Sequence, residues 1–223
     1  MGFTSVVNET HIEEQYTKLL DTIKETFGEE SDRTEKLLQM YKDFEERVKE
    51  APASGKLNFH NAYPGGYLDH VLNVLLCARL VKRLYEHIDG WIDFTDEELV
   101  FSALHHDLGK LGSLDAPYYT IQESEWHQRN RLEIYKHNDS AQHMTVSDRS
   151  IFILQQYGIS LTENEYLTIK LTDGMYDDAA KKYLQQYGAG YFPMRTNLHK
   201  IMHWADHMAA SQENDVVRKK MTR

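Results

Sequence analysis

The chain has 223 residues, of which 41% are hydrophobic and 27% charged, with a net charge of -10 and one cysteine. That size supports one sizeable core and favours one domain over two small ones. No apolar run approaches the roughly 18 residues of a membrane span, a lone cysteine excludes an internal disulfide and a thiolate-rich metal cluster, and 35 acidic against 25 basic residues disfavour an extended nucleic acid as partner.

The opening residues, MGFTSVVNETHIEEQ, carry neither the basic segment nor the apolar stretch of a secretory signal. Gly2 begins a myristoylation pattern that fails at Val6, which stands where Ser or Thr is required. These features predict a soluble protein of a reducing cytoplasm.

Nearly every segment then reads as helix. Over residues 9–27 the apolar positions Ile12, Tyr16, Leu19, Leu20, Ile23 and Phe27 recur at helical spacing. A second helix, capped by Ser31 or Asp32, carries the stripe Leu37, Leu38, Tyr41, Phe44 and Val48 until APASG stops it at 51–55. Pro64, Gly65 and Gly66 form a tight turn into a third helix that carries Tyr67, Leu68, Val71, Leu72, Leu75, Val81 and Leu84. A fourth begins at Thr95, where TDEE is a capping box closed by Glu98, and runs to Leu108 before Gly109.

Residues 109–146 are the least regular, with a short extended turn at LDAPYYTIQ and a helical piece near 126–135. Helices resume at 147–157 and, behind the capping box TENE, at 162–172. A Gly- and Tyr-rich connector, QQYGAGYFPMRT, leads to a last helix over about 197–212, striped by Leu198, Ile201, Met202, Ala205, Met208 and Ala209. No segment of weight has a strand period, so the fold class is all-α. The terminal VVRKKMTR reads as a short basic tail, solvated and frayed.

Twelve histidines offer many candidate ligands for a divalent ion in a chain without a cysteine cluster. Position selects among them, because an ion held between helices needs inward side chains. His70 lies between Leu68 and Val71 early in the third helix; His106 and Asp107 lie at the C-terminal turn of the fourth; Asp206 lies in the last helix beside Ala205, one turn from Met202. A carboxylate in such apolar company costs several kcal/mol unless a cation or donor compensates it.

The stretches GGYLDH, LHHDLGK and HWADHMAA, in that order, resemble the His, His-Asp, Asp signature of the HD-domain metal-dependent phosphohydrolase superfamily. The resemblance spans residues 57–212, and FHNAYPGGYLDH is similar to members that include exonucleases and phage-encoded proteins. It implies an HD-domain helical bundle over 51–213, N-terminal helices at 1–50 packed on it, and a basic tail at 214–223. It further implies that His70, His106, Asp107 and Asp206 bind one divalent ion, Mn, Fe, Co, Ni, Mg or Zn. Such an ion keeps open positions for a water that attacks phosphorus.

On that reading Asp107 and Lys110 are the catalytic residues, and Lys110, Arg149, His60 and His203 contact the substrate. The expected substrate is a nucleotide or other small phosphorylated metabolite; extended nucleic acid and membrane are not expected partners, and a homodimer is an allowed assembly. The chain departs from the family's two-metal branch: Thr172 and Asp173 stand where a histidine-rich turn belongs, and His137 or His143 is the nearest match for the other position. Tyr176 and Asp173 border the expected pocket, and His105, pointing about 100° away from His106 on a helix, is a packed neighbour of the site. Rival readings are a 3'-5' exonuclease, a di-iron oxygenase and a non-catalytic nucleotide-binding protein.

Overall fold

The computed structural model describes residues 9–174, 177–184 and 194–221, and among them the chain is all-α, with ten helices, one 3-10 turn and a two-stranded hairpin. Helix α1 (Glu9–Phe27) has the expected bounds. Helix α2 (Asp32–Asp43) starts behind Ser31, whose hydroxyl accepts the Thr34 backbone N–H. The stripe expected to continue through Val48 breaks at Phe44, after which α3 (Glu45–Glu50) resumes. The break seats Phe44 in the core, with its ring centroid 6.4 Å from that of Tyr157.

Helix α4 (Gly66–His87) is the longest inner element and α5 (Asp96–His105) follows behind the Thr95–Glu98 capping box. The fourth helix, expected to reach Leu108, ends at His105: Asp107 leaves helical geometry at φ -105° and ψ 9°, and Leu108–Leu111 form a 3-10 turn. Next come β1 (Tyr119–Ile121), α6 (Glu125–Arg131) and β2 (Tyr135–His137). The strands are antiparallel, Tyr119 opposite His137 and Ile121 opposite Tyr135. No strand was expected there, and three residues are too few for an alternating pattern to show in a sequence.

Helices α7 (Val146–Gln156) and α8 (Glu163–Lys170) lie where predicted, capped by Thr145 and by the Thr162–Glu165 box. Helix α9 (Asp178–Leu184) occupies a stretch for which no element was expected. Helix α10 (Leu198–Met221) runs past the expected end at 212, so the stretch read as a frayed basic tail is helical to Met221. Gly2 and Val6, Tyr176 and residues 185–193 of the connector lie outside the described residues. No helix among the described residues is long and apolar enough to cross a membrane.

One hydrophobic core joins these elements. Tyr16, Leu19 and Ile23 of α1, Leu37, Met40 and Tyr41 of α2, Val71, Val74 and Ala78 of α4, Leu99, Phe101 and Leu104 of α5, and Ile201, Ala205 and Ala209 of α10 belong to a single buried cluster. Helix α4 sits at its centre, packed against α5 and, along much of its length, α10.

A buried ion pair ties the N-terminal helices to α8. The Arg33 Nη2 donates to both Glu165 carboxylate oxygens at 2.7 Å, and the guanidinium lies 4.0 Å from the Phe101 ring centroid. Glu165 also accepts the Thr162 N–H as the closing member of its capping box, so one fully buried carboxylate caps a helix and anchors a cation. Removing one partner of such a pair strands the other charge. Glu165→Ala is therefore expected to lower unfolding free energy by about 3–5 kcal/mol in urea titrations, whereas Lys24→Ala, breaking the exposed Lys24–Asp21 pair, should cost less than about 1 kcal/mol.

Candidate metal centre

Three glycines place the histidines. Gly65 caps α4 at φ 80°, a left-handed conformation that costs glycine little. A Cβ on Gly66 would lie 2.1 Å from the Asn61 carbonyl oxygen, so only glycine lets the 51–65 segment fold back over the start of α4. That fold is fixed by hydrogen bonds from Ala53 N–H to Asn61 O, 3.0 Å, and from Ser54 Oγ to His60 O, 2.6 Å. It lays the His60 ring on His70, centroids 4.5 Å apart. At the other end, a Cβ on Gly109 would lie 2.1 Å from the Val146 carbonyl oxygen. The Gly109 N–H donates to Ser150 Oγ at 2.8 Å, and that hydroxyl lies 3.2 Å from the His106 carbonyl. Helix α7 thus clamps the turn that carries His106 and Asp107.

The four expected ligands converge. His70 Nε2 lies 3.5 Å from Asp107 Oδ2 and 3.2 Å from Asp206 Oδ1. His106 Nε2 lies 3.5 Å from the same Asp107 oxygen and 4.0 Å from the same Asp206 oxygen. Each imidazole is held through its other nitrogen: His106 Nδ1 lies 2.9 Å from the Ala103 carbonyl oxygen and His70 Nδ1 lies 3.1 Å from a Glu213 carboxylate oxygen. With Nδ1 held in both rings, both Nε2 atoms face the carboxylates, and both are buried without a hydrogen-bond partner. The ligand-type atoms of His70, His106 and Asp206 all lie within 4.8 Å of one another, with Asp107 joined to them through both imidazoles, and imidazoles with carboxylates are a donor set that divalent transition ions accept. The residues fit a metal.

Electrostatics bind the cluster together. Burial opposes charge on His70, but the carboxylates of Asp107, Asp206 and Glu213 outweigh it and raise its pKa well above the usual imidazole value. Burial likewise opposes ionisation of Asp107, and the Lys110 ammonium with His106 and His70 overrides it, holding that carboxyl well below the usual range. Asp206 is held at about 2, its desolvation overcome mainly by His70. Lys110 Nζ sits 2.5 Å from Asp107 Oδ2, and this pairing raises its pKa despite burial.

The substrate-contact candidates fall in different places. Lys110 also lines a 960 Å³ cleft walled by Tyr118, Tyr119, Tyr135, Pro52 and Pro64, and so joins the ligand cluster to that cleft. His60, half-buried, leaves its Nε2 without a partner, and burial followed by the charge of His70 lowers its pKa to about 4. His203 is exposed one turn before Asp206, close to Gly174. Arg149 is buried, donates to the Gln142 carbonyl and lines a separate 470 Å³ cavity with His137 and His143. Tyr118 borders both cavities.

His105 lies in the core between Phe101 and Tyr41, its Nδ1 2.6 Å from the Phe101 carbonyl oxygen. Asp173 is exposed, and its carboxyl pKa is raised first by desolvation and then by the negative charge of Asp107. His137 stacks on Tyr119 and His143 is exposed; neither joins a group of ligand-type side chains among the described residues.

Sequence reasoning missed Glu213. It is buried, accepts from Asn73 Nδ2 at 2.8 Å and from His70, and with His60 and His70 forms a second group whose ligand-type atoms lie within 4.8 Å of one another. The available signal was its spacing: Glu213 stands seven residues, two helical turns, beyond Asp206 on the same helix. Ending the helix at 212 hid it. Comparisons of the chain with family models, with curated proteins and with solved structures found no match.

Glu213 orients the His70 ring, and second partners of this kind are typically worth about 10–100-fold in metal affinity. Isothermal titration with Mn or Zn is expected to show that loss for Glu213→Ala at unchanged helicity, with partial recovery in Glu213→Gln, whose side-chain carbonyl still accepts the Nδ1–H.

Proposed function

We propose that the chain is a metal-dependent phosphohydrolase of the HD-domain superfamily that cleaves a phosphate ester of a nucleotide or another small phosphorylated metabolite. The observation that carries the reading is the pair of buried, unpartnered imidazole nitrogens, His70 Nε2 and His106 Nε2, facing the Asp107 and Asp206 carboxylates. These four residues would hold one divalent ion, Mn, Fe, Co, Ni, Mg or Zn. Such an ion supplies an acidified water as nucleophile and offsets charge developing on a phosphoryl oxygen.

The chain's own residues do the rest. Lys110 sits between Asp107 and the large cleft, so its ammonium is placed to meet a phosphoryl group entering from that side. At 960 Å³ the cleft lies within the range of about 300–1,000 Å³ typical of small-ligand pockets, and its tyrosines offer aromatic faces to the organic part of a substrate. His60, with an unpartnered nitrogen beside His70, is kept uncharged by burial and the His70 charge and would meet the substrate as a neutral hydrogen-bonding group. His203 and Arg149 stand further out and would contact parts of the substrate away from the reacting phosphate. A cytoplasmic setting belongs to the same proposal, since Cys77 is buried and unpaired.

A phosphate-release screen over nucleotides and sugar phosphates with each of these ions tests the reading. Turnover in at least one combination is expected, abolished in Asp107→Ala, and reduced about 10²–10³-fold in kcat/KM by Lys110→Met. Activity surviving Asp107→Ala would overturn the site. Cleavage of single-stranded oligonucleotides without turnover of nucleotides, two bound irons with oxygen uptake, or nucleotide binding without hydrolysis under every ion would each replace the reaction with one of the rival readings.

A further inference from the structure

The outer face of α4 carries a ridge of large apolar side chains at four-residue intervals. Leu76, Leu80, Leu84 and Ile88 are 55%, 46%, 59% and 65% exposed, and Trp91, just beyond the helix, is 75% exposed. Helix α10 extends the surface, because the exposed Trp204 packs on Tyr85 with ring centroids 5.8 Å apart. Together these six side chains present roughly 700 Å² of apolar surface, above the 300–600 Å² typical of the largest patch on a monomer and close to the share each partner brings to a stable interface. None of the six belongs to the metal centre.

The charges flanking the ridge identify what covers it. Arg79 and Arg83 flank its N-terminal half and Glu86 its C-terminal half, on the same edge of the helix. Neither arginine has a carboxylate partner among the described residues, while Glu86 has only a 3.7 Å approach to Lys82. A second α4 laid antiparallel across the ridge puts Leu80 against Leu84 and Leu76 against Ile88, and brings each Arg79 to the partner's Glu86. Side chains at four-residue spacing form the rows that interdigitate when two helices cross at about -50°, and tryptophan with arginine is the composition of interface hot spots. A membrane surface is disfavoured by the chain's net charge of -10 and by Glu86 and Asp89 beside the ridge.

We propose that the protein is a twofold homodimer joined through the α4 ridge. Sedimentation equilibrium of the full chain over a range of concentrations is expected to give twice the 26.1 kDa chain mass. Leu84→Glu should raise the dimer Kd by about 30-fold or more, the effect of losing one hot spot, without lowering thermal stability of the separated monomer. Arg79→Glu should weaken the dimer and the double variant Arg79→Glu with Glu86→Arg should restore it, which a merely misfolded variant would not do. A monomeric wild type at every concentration, a dimer unaffected by Leu84→Glu, or a monomer that Leu84→Glu unfolds, meaning that the ridge is covered from within its own chain, would each overturn the proposal. So would flotation of the wild type with anionic vesicles in monomeric form.

Discussion

Ionisable groups placed in a dry interior are the constraint around which this fold is arranged. His70, His106, Asp107 and Glu213 are all buried, and each isolated charge there would cost several kcal/mol. The solution is mutual: every carboxylate faces an imidazole or an ammonium, and each imidazole spends its other nitrogen on an acceptor, Ala103 O for His106 and Glu213 for His70. His70 is the pivot, touching carboxylates from the turn after α5 and from two positions on α10. The close packing of α4, α5 and α10 supports that arrangement, and the two glycine contacts bring the flanking segments near enough to lock it.

The same logic explains the division between the two cavities. Lys110 is drawn inward by Asp107 and borders the large cleft, whereas Arg149, on the helix that clamps the turn, faces away into the smaller one. Both cations sit within a few residues of Gly109 in space, yet Tyr118 stands between the openings they line.

Much of this was legible in the residues. Helical stripes gave α1, α4 and α10 because apolar spacing survives in any long amphipathic helix; caps gave the starts of α2, α5 and α8 because Ser31, Thr95 and Thr162 satisfy local N–H groups. Apolar surroundings marked His70, His106, Asp107 and Asp206 as intruders, although their grouping as one ligand set came from resemblance. What stayed hidden depends on tertiary neighbours. The break at Phe44 is decided by a core position on α7's far end, the hairpin by two strands of three residues, and the role of Glu213 by where α10 stops. Arg149 read as a surface arginine or a clamp because nothing local says that α7 is pressed against Gly109.

The ammonium of Lys110 against Asp107 carries a consequence for the order of events in the life of the chain. Small zinc domains wait for their ion because it supplies the attraction that a tiny core cannot. Here the core spans eight of the described helices, and the negative charge at the turn already meets an internal cation three residues away. On the proposed reading the bundle would hold together without an ion, and an incoming ion would compete with a side chain the protein itself provides for the oxygen of Asp107.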